Sequence, residues 1–476
     1  MSAARWTTAI SAVRTCMQLA QLIVLTRFLS PKDYGLMAMA MVVISFAALF
    51  SDMGLSSAFV QRRSVTQEER SSLYWLTVMV GAVLMLIVMA ISPLAAAWMG
   101  SPELMPLMIL VSTNFLTVAL GQQLRMDAEK QLNFRPVALI EIAAAISGFA
   151  VALFAAAQGW GAYALAAAAV FGSWVTTISS WALLANGWRP LPRMRWREVQ
   201  RFLRFGGGMM VNNVFNYANS TLDLLLGGRI LGAASLGLYS VPRSIILQVQ
   251  GMVNPIFTRV GFPVIASIQH DRERVKRTFL MIMNITATVN APIYMAIAAF
   301  APEIVQLLLG KEFQDTAPLL RMLAAWGLFR SFGNPAGSLV FGMGRVRLAT
   351  WWNLGLLAIV PPAIWLGSGF GAEGMASAMA VVMAALFIPG WAILVKPCCD
   401  ATLREYFRQV LSPTLSALFA ALVAWFAVSE LSHAYVRLAL GLSIGIVIYA
   451  AMSWLLNRAC VNLIMDVIRQ PASVPL

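Results

Sequence analysis

Fourteen apolar stretches alternate with short polar ones along the chain. They run over 9–28, 35–60, 73–98, 104–122, 137–157, 162–186, 206–227, 235–258, 279–300, 317–340, 349–366, 374–395, 411–429 and 435–456. A helix rises about 1.5 Å per residue and the hydrocarbon core of a bilayer is about 30 Å thick, so segments of about 20 residues span it. Lipid offers backbone N–H and C=O groups no partners, which leaves helices as the form these segments take. The pattern predicts an all-α polytopic membrane protein of about 14 transmembrane helices.

Composition agrees. Of 476 residues 60% are hydrophobic and only 11% charged, against about half and about a quarter in soluble domains. Mean hydropathy is +0.76. Too few solvating side chains remain for a soluble enzyme or a disordered chain. The first apolar stretch holds Arg14 and Arg27 and lacks a small-residue cleavage site, so it reads as a span and not as a cleavable signal peptide.

The net charge of +14 comes from 34 Lys and Arg against 20 Asp and Glu. With the N-terminus in the cytoplasm, 25 of the 34 fall at the termini or on cytoplasmic loops, five on the opposite side and four inside spans. Basic residues mark cytoplasmic loops, so the excess reads as membrane topology with both termini inside, not as nucleic-acid binding. The longest hydrophilic stretch, 187–205, carries six arginines among Trp188, Trp196, Phe202 and Phe205. It reads as an amphipathic linker on the anionic cytoplasmic leaflet. The expected organisation is an N-lobe over 1–186, this linker, a C-lobe over 206–396, and two further spans with a tail over 397–476.

The two lobes carry traces of a repeat. RFLSPKDYGL (27–36) and RILGAASLGL (229–238) share Arg27/Arg229, Leu29/Leu231, Gly35/Gly237 and Leu36/Leu238 at an offset of 202. Pro106 matches Pro318 and Arg135 matches Arg347 at an offset of 212. Six spans per repeat give both halves the same orientation, about an axis along the membrane normal.

Candidate chemistry lies in polar residues inside spans, where a charge costs about 2.5–3.5 kcal/mol on insertion scales. The seventh span holds Asn212, Asn216, Asn219 and Asp223 at spacings of 4, 3 and 4, one helical face. The first span holds Ser11, Arg14, Gln18 and Gln21 at the equivalent places. The eighth has Arg243, Gln250 and Asn254 on one face, and the tenth has Arg330 near mid-membrane. These stripes fit a wet, cationic cavity for an anionic head group, since guanidinium holds phosphate bidentately and stays charged. Interhelical hydrogen bonds, or salt bridges to Asp52, Glu141 or Asp223, are the structural alternatives. Asp223 itself suits either pairing with an arginine or reversible H⁺ or Na⁺ binding.

Four cysteines and two histidines in no metal-type spacing give no metal site. No nucleophile triad and no phosphate-binding glycine loop is visible, so neither an enzyme nor a cofactor is expected.

Stretches 27–62, 231–245, 253–266 and 308–324 resemble the Wzx-type polysaccharide flippases of the multidrug/oligosaccharidyl-lipid/polysaccharide (MOP) exporter superfamily, in the colanic-acid and xanthan-like exopolysaccharide branch. The resemblance covers essentially the whole chain. It implies two helical bundles that rock between inward-open and outward-open states in the bacterial inner membrane. It implies transfer of an undecaprenyl-pyrophosphate-linked oligosaccharide to the periplasmic leaflet, with membrane lipids, a polysaccharide polymerase and a chain-length regulator as partners. A cation-coupled multidrug exporter and a lipid II flippase of the same fold are the alternatives. The exporter needs a smaller, more aromatic or acidic cavity, and the first span here has no acid.

Overall fold

In a computed structural model the described residues are 16–52, 59, 66–131, 133–192, 196–458 and 460; the side chains of 52, 196–213 and 255–260 are outside the description. Among these residues there are helices and no strands. The helices are α1 (Cys16–Leu25), α2 (Pro31–Asp52), α3 (Gln67–Met99), α4 (Leu104–Lys130), α5 (Phe134–Ala157) and α6 (Ala162–Leu184). A helical run Trp196–Ser267 follows, broken at Gly232, where φ is 77° and ψ 173°. We term its parts α7 and α8. Then come α9 (Arg272–Ala299), a short helix Ala301–Leu308, and α10 (Ala317–Gly342). The last four are α11 (Val346–Ser368), α12 (Gly371–Cys399, with a π turn at Trp391–Val395), α13 (Leu403–Val428) and α14 (Ala434–Leu456).

Each apolar stretch lies wholly or partly in a helix. Among the described residues eleven helices are long and apolar enough to cross a membrane. The difference from the expected fourteen arises at three places. The described part of α1 is short, α7 and α8 form one run, and α10 carries Arg321 and Arg330. The chain is a multi-pass membrane protein.

Several helices outrun their apolar stretches because capping groups carry them into the polar region. At α3 the Thr66 hydroxyl accepts from the Glu69 N–H while the Glu69 carboxylate accepts from the Thr66 N–H, a reciprocal cap. Thr402 and Glu405 repeat it at α13. Gly100 ends α3 in the left-handed region.

The chain divides into two compact units, Met1–Ser240 and Val241–Leu476. In the first, α3 packs on α4, α5 on α6 and α4 on α6. In the second, α9 packs on α10, α11 on α12 and α10 on α12. The same three pairings recur six helices later, which is the pseudo-symmetry the short sequence matches indicate. The additional helices α13 and α14 pack on each other and on α9.

The repeat also meets itself. A methyl group on Gly35 would overlap the carbonyl oxygen of Ala233, and one on Gly237 would overlap that of Pro31. Under the offset of 202, Pro31 corresponds to Ala233 and Gly35 to Gly237. The contact is therefore reciprocal, as across a two-fold axis, and both glycines are there because two backbones pass too close for a Cβ.

Ion pairs link loops that the charge sorting assigns to one side. Lys32 meets Glu103 at 2.7 Å and Arg437 meets Glu303 at 3.0 Å on the expected outer side. On the expected inner side Arg70 meets Asp127 at 3.2 Å, Arg272 meets Asp400 at 2.8 Å and Lys276 meets Glu405 at 2.8 Å. A miscounted span between two such loops would have put its ion pair on opposite faces.

Candidate functional site

In the first unit, α7 carries the amide-rich stripe. Asp223 is 2% exposed, and its Oδ2 accepts a hydrogen bond of 2.8 Å from the hydroxyl of Tyr239, itself fully buried on α8. A buried carboxylate needs such donors, and bonds to a charged group are worth about 1.5–3 kcal/mol. Asn216 is exposed and Asn219 half-buried. Between them Tyr217 donates to the Val42 carbonyl on α2 at 2.7 Å. On α1, Gln18 is exposed and Gln21 half-buried. Arg14 and Ser11 lie outside the described residues, as do the side chains of Asn212 and Asp52.

The second unit brings three of the candidates together around residues that polarity alone did not flag. Trp326 on α10 is fully buried. The guanidinium of Arg330 lies 5.0 Å from its ring centroid and that of Arg243, from α8, 5.9 Å. Arg243 is 6% exposed and Arg330 half-buried. Guanidinium over an indole gains about 0.5–1 kcal/mol when exposed and about 2 when desolvated, so one aromatic ring positions two cations. Beside it, the Gln250 amide donates to the Gly327 carbonyl at 3.2 Å. Gly327 has no room for a side chain: a Cβ would lie 2.6 Å from Ile246 Cγ2 and 2.8 Å from Tyr294 Cε1. That close approach of α8, α9 and α10 fixes the register that places Arg243 and Arg330 on one ring. Asn254 sits a helical turn beyond Gln250 and is half-buried.

Arg321 is exposed near the end of its helix, and its Nε donates to the Ala298 carbonyl at 3.3 Å. Glu141 pairs with Arg125 at 2.6 Å. Trp326, Tyr239 and Gly327 were not singled out from sequence. Spacing held the signal for the first two: Trp326 lies four residues before Arg330 and Tyr239 four before Arg243, neighbours on a helical face. Among the described residues no group of three or more His, Cys, Asp or Glu is placed to hold a metal ion.

Helices of membrane length, a doubled helical architecture and arginines gathered inside it define a membrane transport protein. Residues 24–318, more than half of the chain, match the polysaccharide biosynthesis protein family, and the chain belongs to it. Three of the stretches that carried the family resemblance fall wholly within that match and 308–324 in part. The chain is 29% identical over 418 residues to the lipopolysaccharide biosynthesis protein WzxC of Escherichia coli (strain K12), covering 87% of this chain and 84% of that one. It is 27% identical over 455 residues to the teichuronic acid biosynthesis protein TuaB of Bacillus subtilis (strain 168), covering 94% of each. Its fold is similar to that of the lipid II flippase MurJ in an inward closed conformation, with a TM-score of 0.76 and 14% identity, over 96% of this chain and 99% of that one.

Proposed function

We propose that this protein flips an undecaprenyl-pyrophosphate-linked oligosaccharide repeat unit from the cytoplasmic to the periplasmic leaflet of the bacterial inner membrane, for exopolysaccharide assembly. The observation that carries the proposal is the pair of guanidiniums on Trp326 in a chain of the polysaccharide biosynthesis family. Their distances to the shared ring hold the two cations within about 11 Å of each other. A pyrophosphate that reaches both is met by planar, permanently charged donors. Gln250, beside the pair, suits the polar sugars, while the polyprenyl tail stays in lipid.

Both termini and the 187–205 linker face the cytoplasm in this reading. The protein works by alternating access, and Asp223 either couples transport to an ion or pairs with an arginine. It transports and does not catalyse. A polymerase and a chain-length regulator act on what it delivers.

Deletion of the gene with complementation tests the proposal. Wild type restores surface polysaccharide, whereas Arg330→Ala leaves lipid-linked oligosaccharide accumulating on the cytoplasmic side. Full polymer export without the protein would overturn it.

A further inference from the structure

The second unit contains a cavity of about 520 Å³ at the end of α10 expected to face the cytoplasm, lined by Phe262, Asn334, Gly337, Ser338, Phe341 and Val346. We propose that this cavity holds a sugar ring of the transported lipid-linked saccharide, next to the phosphate end gripped by Arg330. The proposal rests on the flippase reading and adds to it a place where the saccharide is recognised.

Position comes first. Arg330, Asn334 and Ser338 follow at intervals of four, so they lie along one side of α10. Asn334 is about 6 Å and Ser338 about 12 Å along the axis from Arg330. A ring joined directly to a phosphate at Arg330 reaches them.

The lining is the second argument. Among the described residues, nothing lies within 4 Å of where a Cβ would stand on Gly333 or Gly337. The other two glycines of α10 are tightly packed, Gly327 as described and Gly342 with a Cβ position 2.7 Å from Ile265. Unlike Gly327 and Gly342, Gly333 and Gly337 are not closed in by the described residues, and Gly337 lines the cavity. Phe262 and Phe341 are both exposed to this space. Pyranose rings carry C–H groups on their faces and hydroxyls at their edges, which suits aromatic walls with a few polar groups between them. The volume lies within the about 300–1,000 Å³ common for small-molecule sites.

Polar satisfaction is the third. Ser331 and Thr316, beside or within the same helix, return their hydroxyls to carbonyls three residues back at 2.7 and 2.6 Å. Ser338 is only 6% exposed, yet its hydroxyl has no hydrogen-bond partner among the described residues, and neither has the Asn334 amide. Both residues line the cavity, and their polar groups are open to what fills it. A lipid tail offers neither group a hydrogen bond, and among the described residues the lining has no cation for the pyrophosphate itself. A neutral, hydroxyl-rich ring answers both.

The test uses the full-length protein in nanodiscs and two probes, undecaprenyl pyrophosphate and undecaprenyl-pyrophosphate-linked glucose. Wild type should bind the glycosylated probe more tightly. Asn334→Leu and the milder Ser338→Ala should weaken that probe by up to about tenfold, the loss of one hydrogen bond, and leave undecaprenyl pyrophosphate unchanged. Arg330→Ala should weaken both probes. Equal binding of the two probes to wild type, or equal effects of Asn334→Leu and Ser338→Ala on both, would overturn the sugar site. Tighter binding of both probes by Asn334→Leu would identify a lipid-tail groove instead. Failure of wild type to bind either probe would overturn the flippase reading, and this inference with it.

Discussion

Gly35 and Gly237 occupy equivalent positions in the two copies of one motif, and each lies against the backbone of the other copy, Gly35 on Ala233 and Gly237 on Pro31. Neither contact has a flexible side chain that could yield. An added methyl must displace backbone, and overpacking of this kind costs about 1–3 kcal/mol. Gly35→Ala and Gly237→Ala should each lower the melting temperature of the purified protein, by similar amounts because the contacts are equivalent. Wild-type stability in either variant would remove the reciprocal contact from the account.

Trp326 should matter as a ring and not as bulk. Trp326→Phe keeps an aromatic face under Arg243 and Arg330; Trp326→Leu does not. Polymer export should fall further in the leucine variant at equal membrane abundance. Lysine at 243 or 330 should rescue alanine only in part, since it keeps the charge and loses the planar fork. Equal export from Trp326→Phe and Trp326→Leu would contradict the positioning role.

The Tyr239 hydroxyl steadies the Asp223 carboxylate. Tyr239→Phe should lower stability by about 1.5–3 kcal/mol, as for loss of a bond to a charged group. Asp223→Asn separates the two roles left to the acid. Loss of the response to an imposed ion gradient with normal abundance means coupling. Lower stability that is restored by neutralising an arginine means pairing. Normal abundance with gradient-dependent flipping intact would defeat both.

Much of this was readable from residue order, and the gaps have physical causes. The 4-3-4 spacing of Asn212, Asn216, Asn219 and Asp223 predicts a polar face of α7, of which the structure exposes Asn216 and buries Asp223, and the motif copies at 27–36 and 229–238 indicate the repeat. The break between the seventh and eighth spans, expected between 227 and 235, falls at Gly232, where only a residue without a Cβ takes that backbone with ease. Hydropathy placed the start of α3 at 73, whereas the Thr66–Glu69 cap starts it at Gln67. A hydropathy pattern reports the lipid-facing part of a helix, and capping groups set its ends. Trp326 was hidden because a tryptophan in an apolar span is unremarkable until a cation is known to lie over it.

Glu405 supplies a pH test outside the spans. Hydrogen bonds from Lys276, then from the Thr402 backbone and hydroxyl, hold its carboxyl down at about 2, against about 4.3 for an ordinary glutamate. A lowered folded-state pKa contributes stability that is complete above the unfolded value and is lost as pH falls from about 4.3 towards 2. Glu405→Gln should flatten the acid limb of a stability profile over that window and leave the neutral region parallel to wild type. An unchanged acid limb would show that the cap does not hold the start of α13.

The sorted arginines predict one topology, and the loop ion pairs join loops that it puts on the same side. Cysteines introduced at Ser101, Gln158 and Ser368 should react with an impermeant reagent from the periplasm, and one at Arg195 only after the membrane is opened. Labelling of positions 101 and 195 from the same side would break the span count.

The central claim is that the arginines around Trp326 carry the pyrophosphate of a lipid-linked saccharide across the membrane. Proteoliposomes holding the purified protein and a fluorescent undecaprenyl-pyrophosphate-linked oligosaccharide measure this directly, through the fraction of probe that an impermeant quencher reaches over time. Wild type should equilibrate the probe between leaflets, and Arg243→Ala and Arg330→Ala should each slow equilibration by about tenfold or more, as expected for loss of a charge-assisted contact. Equal rates for wild type, both variants and protein-free vesicles would contradict the account.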